Sequence, residues 1–114
     1  MVVGSNLKED NVEKIGGNIV FIGPRLEPME IEIIKKILET HTKRLKEITE
    51  YQELKVRLRQ HQHGKTFLHE IEVMVIGKGR EIRLNSNSSD YNLFAALSVA
   101  LEKIISQATH KIKK

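Results

Sequence analysis

The sequence contains no cysteine, which excludes a disulfide framework and cysteine-based zinc or redox sites. No apolar run approaches the roughly 20 residues that span a bilayer. The first five residues carry no basic segment followed by an apolar signal core. These absences favour a soluble cytoplasmic protein with no membrane partner.

Aromatic residues are also scarce, with three phenylalanines, two tyrosines and no tryptophan. An RNA recognition motif needs aromatic residues on a central strand, and a KH domain needs a Gly-x-x-Gly loop between helices, and this sequence has neither. If the chain binds RNA, base stacking cannot be the main mode of recognition. Shape and phosphate contacts would have to dominate.

No set of residues forms a candidate catalytic centre. No serine lies in a nucleophile elbow, and Gly77-Lys-Gly79 is too short for a phosphate-binding loop. His61 and His63 could begin a metal site, but no cysteine and no suitably spaced acid completes it. We therefore predict a protein that is not an enzyme and has no metal, cofactor or small-molecule substrate.

Length and charge indicate one domain with a polyanionic partner. The chain of 114 residues with 39% apolar content suits a single compact core. Residues 54–83 carry seven Lys and Arg against three acids, and residues 84–114 carry four against two. Clustered positive charge of this kind is typical of nucleic-acid binding. We predict a flexible leader at residues 1–17, because it is polar and ends in Gly-Gly, and a single α+β domain at residues 18–114.

Hydrophobic periodicity predicts the order β-α-β-β-β-α. Residues 18–23 indicate a buried strand and residues 28–49 a helix, on whose apolar face His41 would be a half-buried core residue. Three strands joined by two hairpins follow, and a helix from Asn92 to Ile112 ends the pattern. This order predicts a two-layer sandwich, in which two helices cover one face of a four-stranded sheet.

Strict alternation in the second strand separates an inner from an outer row of side chains. Leu54, Val56 and Leu58 would face the core, and the third strand would add Phe67, Ile71, Val73 and Val75. The outer row would be Lys55, Arg57, Arg59 and His61. Two interpretations of this row remain open: its charges pair across strands with Glu70 and Glu72, or it contacts phosphates.

The last helix combines an apolar stripe with a polar ridge. We expect Ser88, Ser89 and Asp90 to cap its start. The stripe consists of Leu93, Leu97, Leu101, Ile104 and Ala108. The ridge beside it consists of Ala96, Lys103, Gln107, His110 and Lys114.

The spacing of this helix resembles the closing helix of the ribosome hibernation-promoting factors and ribosome-associated inhibitors. The resemblance lies in Asn92-Leu-Phe-Ala-Ala-Leu, then Glu102-Lys103, then Gln107, and then the lysine-rich end. His41-Thr-Lys-Arg44-Leu45 also fits the basic end of that family's first helix. The family has the same element order, and its fold is related to the double-stranded-RNA-binding domain.

The resemblance implies a factor that docks in the channel of the small ribosomal subunit where messenger and transfer RNAs bind, and that blocks translation when growth stalls. Arg44 and Lys103 would hold ribosomal RNA phosphates. Supporting contacts would come from Lys55, Arg57, Arg59, His110, Lys111 and Lys113. The protein would be a monomer away from the ribosome. The alternatives are a standalone double-stranded-RNA-binding module, whose Lys-Lys-x-Ala-Lys signature is missing here, and a plain interaction domain within a larger complex.

Overall fold

The computed structural model describes residues 11–78 and 82–112, without the side chains of Asn11, Glu13 and Ile112. The chain forms a mixed sheet with two helices on one face. The elements are β1 (Asn11–Gly16), β2 (Ile19–Gly23), α1 (Pro28–Ile48), β3 (Tyr51–His63), β4 (Thr66–Gly77), β5 (Arg83–Asp90) and α2 (Leu93–Ile112). Neither helix is long and apolar enough to cross a bilayer, as judged over the described residues.

Over the described residues the sheet has five strands in the order β1-β2-β3-β4-β5, so the prediction of four strands is wrong. β2 and β3 are parallel and are connected through α1, while the other neighbours are antiparallel. The additional strand β1 lies within the segment predicted to be a leader. Gly16 and Gly17 adopt φ angles of 136° and 58° and turn the chain back, so that Glu13 pairs with Phe21. Residues 1–10 of that predicted leader lie outside the described part.

α1 occupies almost the whole predicted range. Pro28 takes its first position, where the fixed φ angle of proline suits a helix and no amide hydrogen is needed. The carboxylate of Glu30 accepts a hydrogen bond from the backbone N–H of Glu27 at 2.9 Å. At the other end, Thr49 N–H donates to Leu45 O at 2.9 Å. The predicted apolar face is confirmed, since Ile34 and Leu38 are fully buried.

The start of α2 differs from the prediction. Asn92 caps the helix, because its Oδ1 accepts a hydrogen bond from Ala95 N–H at 3.0 Å. Asp90 Oδ1 accepts one from Asn92 N–H at 2.8 Å and so holds the cap in place. The expectation that Ser88 and Ser89 cap the helix is wrong, since both belong to β5 and pair with β4.

The core lies between the sheet and the helices, and the predicted stripe of α2 is confirmed as part of it. Every residue of that stripe is buried, with exposures of 0–6%. On the sheet side the predicted inward residues Leu54, Val56, Leu58, Ile71, Val73 and Val75 are all buried. Burying a side chain of this size contributes about 1.5–3 kcal/mol to folding.

Phe67 was also predicted to be buried but is 46% exposed. It lies where β3 and β4 run beyond the other elements, because the last pair between β2 and β3 is Ile22 with Arg57. Every residue from Arg59 to Phe67 is exposed. We call the hairpin segment of residues 59–70 the arm.

Candidate nucleic-acid interface

The predicted outer row of β3 lies on the uncovered face of the sheet. Because Leu54, Val56 and Leu58 are buried under the helices, the alternating positions between and after them point the opposite way. Lys55 and Arg57 are half-buried and Arg59 is exposed. Three cationic side chains therefore stand in one line, which we call the open-face row.

Among the described residues, the acids opposite the open-face row form no ion pair with its arginines. Arg57 pairs in register with Glu72, and Arg59 with Glu70. Glu70 Oε1 instead lies 2.9 Å from Nε2 of His61, and within the described ranges no ion pair joins either arginine to a carboxylate. One of the two interpretations of the row was that its charges pair across strands with acids. Among the described residues, its arginines make no such pair. Their guanidinium groups are available to an external anion.

The surroundings of the row are partly apolar. Val20 and Ile22 of β2 are the register partners of Lys55 and Arg57, and both are only half-buried. A depression of about 240 Å³ lies between Lys55, Arg57, Glu72 and Met74. The open face therefore offers cations at the centre with apolar groups at its side.

Arg44 lies on the other side of the molecule, at the seam between α1 and α2. Its Nη1 donates to Oε2 of Glu102 at 2.8 Å, and Nε2 of His41 lies 3.1 Å from the same oxygen. The hydrogen bond from Arg44 lowers the pKa of Glu102, opposed by partial burial and supported by the charge of Arg44 and by His41. Arg44 is thus bound by an acid of its own chain, although its side chain remains 50% exposed.

His41 fits its prediction as a half-buried residue, with 12% of its side chain exposed. Its Nδ1 lies 2.8 Å from Ile37 O, and its Nε2 faces Glu102. His41 therefore joins the two helices, with one ring nitrogen facing the backbone of α1 and the other facing Glu102 of α2.

Lys103 occupies a third place, at the outer edge of β5. Its Nζ donates to Asn87 O at 2.9 Å. One turn further, Gln107 bonds Asn85 twice: its Nε2 donates to Asn85 O at 2.6 Å, and its Oε1 accepts from Asn85 N–H at 3.2 Å. The side chain of Gln107 thus makes the two bonds that a further strand would make.

Along part of its length, the polar ridge of α2 therefore covers the outer edge of β5 by hydrogen bonds. Ala96 was predicted to belong to it but is fully buried and is part of the core. His110 and Lys111 are exposed in the last turn, where Nδ1 of His110 donates to Ser106 O at 2.9 Å. Lys113 and Lys114 lie outside the described residues.

The structure divides the predicted site residues among separate surfaces. Arg44 lies on the helical side, Lys103 at the β5 edge, and the open-face row on the opposite side of the sheet. Within residues 11–78 and 82–112, no cluster of three or more histidines or acids is arranged for a metal ion. Neither the arm nor the edge contact of Gln107 was predicted from the sequence. β3 and β4 have 13 and 12 residues, whereas β2 has five. This difference in strand length separates the arm from the rest of the sheet.

Comparison with known proteins finds similarity at the level of the fold. No protein-family profile matches the chain, and no curated protein is similar in sequence. The chain is similar to the Thermus thermophilus Protein Y N-terminal domain, with a TM-score of 0.50 and 22% sequence identity. The match covers 81% of this chain and 91% of that domain. The α+β arrangement of two helices on a mixed sheet is therefore a fold that this chain shares with the Protein Y domain.

Proposed function

We propose that this protein binds the small ribosomal subunit through ribosomal RNA and inhibits translation by occupying the channel for messenger and transfer RNA. Two independent similarities support the proposal. The last helix resembles that of ribosome hibernation factors in its residues, and the fold is shared with the N-terminal domain of Protein Y.

The observation that carries the proposal is the presence of cations on opposite faces of a narrow domain. Its extents are 48 × 26 × 22 Å, with Arg44 on the helical side and the open-face row on the other. A channel walled by RNA contacts an inserted domain from both sides, and each neutralised phosphate releases counterions. Cations on both faces match such a channel better than they match one duplex lying on one side.

The alternative, a standalone double-stranded-RNA-binding module, has less support from the site. Such modules place lysines at the start of their last helix. Here that position is an asparagine cap followed by Leu93, Phe94 and Ala95, which carry no charge. A module of this kind would also leave the open-face row or Arg44 without a role.

In the proposed complex the protein acts by steric occupancy and needs no chemical step. Arginine forks of the open-face row would hold phosphate oxygens in pairs, and Lys103 and Lys111 would act as point charges. The bond between Arg44 and Glu102 would hold the guanidinium group in place at the seam. Binding of this kind weakens with salt, by a log-log slope of about 0.7–0.9 per phosphate neutralised.

Co-sedimentation with small subunits tests the proposal, with variants that all lower the net charge by two. Arg57→Gln with Arg59→Gln removes the open-face arginines, and Arg44→Gln with Lys103→Gln removes the other pair. Each should weaken binding by about tenfold. Lys78→Glu is the matched control, since Lys78 lies at the end of β4 and pairs with Glu50 at 3.1 Å. It should change binding by less than about twofold.

Three results would count against the proposal. Equal losses in all three variants would mean that net charge alone matters. A loss of binding in only one of the two double variants would mean that RNA contacts only one face of the domain, which contradicts the two-sided channel. Equal affinity for small subunits and for naked duplex RNA would favour the double-stranded-RNA-binding alternative.

A further inference from the structure

The arm is a part of the sheet in which no residue is buried. It remains fully paired, from Arg59 with Glu70 to His63 with Thr66. All residues from Arg59 to Phe67 are nevertheless exposed. Because these side chains are exposed, they contribute little to the core. They are open to solvent or to a binding partner.

Side-chain hydrogen bonds hold the arm in one shape. Gly64 supplies the positive φ angle of the turn, 63°. Gln62 Nε2 donates to Gly64 O at 3.2 Å, and Thr66 Oγ1 donates to His63 O at 3.1 Å. The contact between His61 and Glu70 then links the two strands. A pre-ordered arm loses less conformational entropy on binding.

The exposed aromatic rings of the chain gather at this end. Phe21 and Tyr51 are buried and Phe94 is half-buried, whereas Phe67 is 46% and Tyr91 is 56% exposed. Phe67 lies within the arm. Tyr91 directly follows β5, whose last residue, Asp90, pairs with His69 of the arm. Two large exposed rings thus lie at one end of the molecule, where water solvates them poorly.

Tyr91 is fixed to the arm by two contacts. Nδ1 of His69 donates to Tyr91 O at 3.1 Å. The ring of Tyr91 meets the ring of His63 edge to face, with centroids 6.1 Å apart and an interplanar angle of 83°. An edge-on neighbour leaves ring surface of Tyr91 open for stacking.

The charges at the arm favour an anionic partner. Arg59 and Lys65 are exposed cations. The two nearby acids are engaged within the chain, Glu70 by His61 and Asp90 by the backbone N–H of Asn92. Rings with cations beside them are the combination that binds unpaired nucleotides, since a base stacks on a ring while its phosphate meets a cation.

We propose that the arm binds unpaired RNA nucleotides, with bases stacked on Tyr91 and Phe67 and with phosphates held by Arg59 and Lys65. A duplex hides its base faces, so the arm would select single-stranded segments. The inference rests on the proposed function in taking RNA as the partner. It adds a contact to bases, which the phosphate-binding cations cannot supply.

Tyrosine fluorescence tests the stacking directly. The chain has no tryptophan and two tyrosines, so Tyr51→Phe leaves Tyr91 as the sole emitter. A single-stranded RNA octamer should quench the emission of Tyr91 in this variant. A blunt duplex of the same sequence should quench it much less.

Binding of the labelled octamer by fluorescence anisotropy gives the magnitudes. Tyr91→Ala and Phe67→Ala should each weaken binding by about tenfold, as expected for loss of one stacked base. Tyr91→Phe keeps the ring and should stay within about twofold of the parent. Val99→Ala is the matched control, since Val99 is an apolar residue of α2 with 44% exposure.

The inference is overturned if Tyr91→Ala and Phe67→Ala bind the octamer as the parent does, or if the duplex binds equally well with the same dependence on both rings. Failure of the proposed function looks different. In that case the parent would not sediment with small subunits, while the octamer would still bind in a ring-dependent way. If Tyr91 and Phe67 are instead needed to retain a protein and not the octamer, the arm is a protein-binding surface and the inference is wrong.

Discussion

β3 and β4 form a single ribbon with a covered half and a bare half. In the covered half Leu58 is 1% exposed, while in the bare half Phe67 is 46% exposed. In both halves successive side chains point to opposite faces, and the pairing is continuous from Glu53 to His63. The halves differ in helix cover and in residue type. The helix-side positions of β3 are Leu54, Val56 and Leu58 in the covered half, but Gln60 and Gln62 in the bare half. The alternation of side chains along a strand therefore identifies the face on which each one lies. Whether that face becomes part of the core depends on whether a helix packs on it.

The comparison also separates stability from recognition along the same two strands. The covered half contributes apolar burial to folding. The arm contributes side chains that are held in position but remain exposed. Substitutions in the two halves should therefore affect different measurements.

The largest effect should come from the covered half. Leu58→Ala would remove a buried side chain under the helices and leave a cavity, which should cost about 2–5 kcal/mol in the free energy of unfolding. Urea denaturation followed by circular dichroism measures this cost. Phe67→Ala is the matched change in the arm and should stay within about 0.5 kcal/mol. Similar costs for both variants would mean that the arm is covered in solution.

An intermediate effect should appear at the β5 edge. Gln107→Ala removes two hydrogen bonds to the backbone of Asn85 and leaves those groups to water, so we expect a loss of about 1 kcal/mol. Amide hydrogen exchange at Asn85 should also become faster. Gln60→Ala in the arm is the control and should alter neither quantity. An unchanged exchange rate at Asn85 would contradict the edge contact.

The smallest effect should come from the seam, and it should depend on pH. Because the pKa of Glu102 is lowered in the folded chain, its charge stabilises the fold near neutral pH, and this stabilisation is lost as pH falls through the folded-state pKa. Glu102→Gln should cost less than about 1 kcal/mol at pH 7, since the pair is half exposed. The parent and the variant should converge in acid, below the ordinary value of 4.5. A difference that grows in acid would contradict this sign.

The sequence predicted the helices and the buried halves of the strands well, because their periodicity is local and strong. β1 could not be predicted in this way. Val12 and Ile15 do not alternate, and Gly16-Gly17 suggested a linker. The strand depends on pairing with β2, which a local pattern does not reveal.

The polar end of β5 was misinterpreted for a related reason. Residues 85–90 carry only Asn, Ser and Asp, which favour turns and caps over strands. In the structure they extend the sheet because β4 offers a continuous partner. Ser86, which is buried, satisfies its hydroxyl group by donating to Ala100 O at 2.7 Å.

The sequence was sufficient to predict which residues could belong to the site. It was not sufficient to predict how those residues are arranged in space. Alternation placed Lys55, Arg57 and Arg59 correctly on the outer face. The partners of Arg44 and Lys103, however, are Glu102 and Asn87, which are 58 and 16 positions away along the chain. Such contacts follow from how α2 packs on α1 and β5, and no spacing within either helix encodes them.

The bonds from α2 to Asn85 and Asn87 also limit how copies of this chain could associate in concentrated solution. Growth of a fibre by strand addition requires two open edges on every molecule, so that each copy can both receive and offer a strand. Here one of the two edges is already bonded to a helix of its own chain. Strand pairing between molecules along Asn85 to Asn87 would first have to displace Lys103 and Gln107.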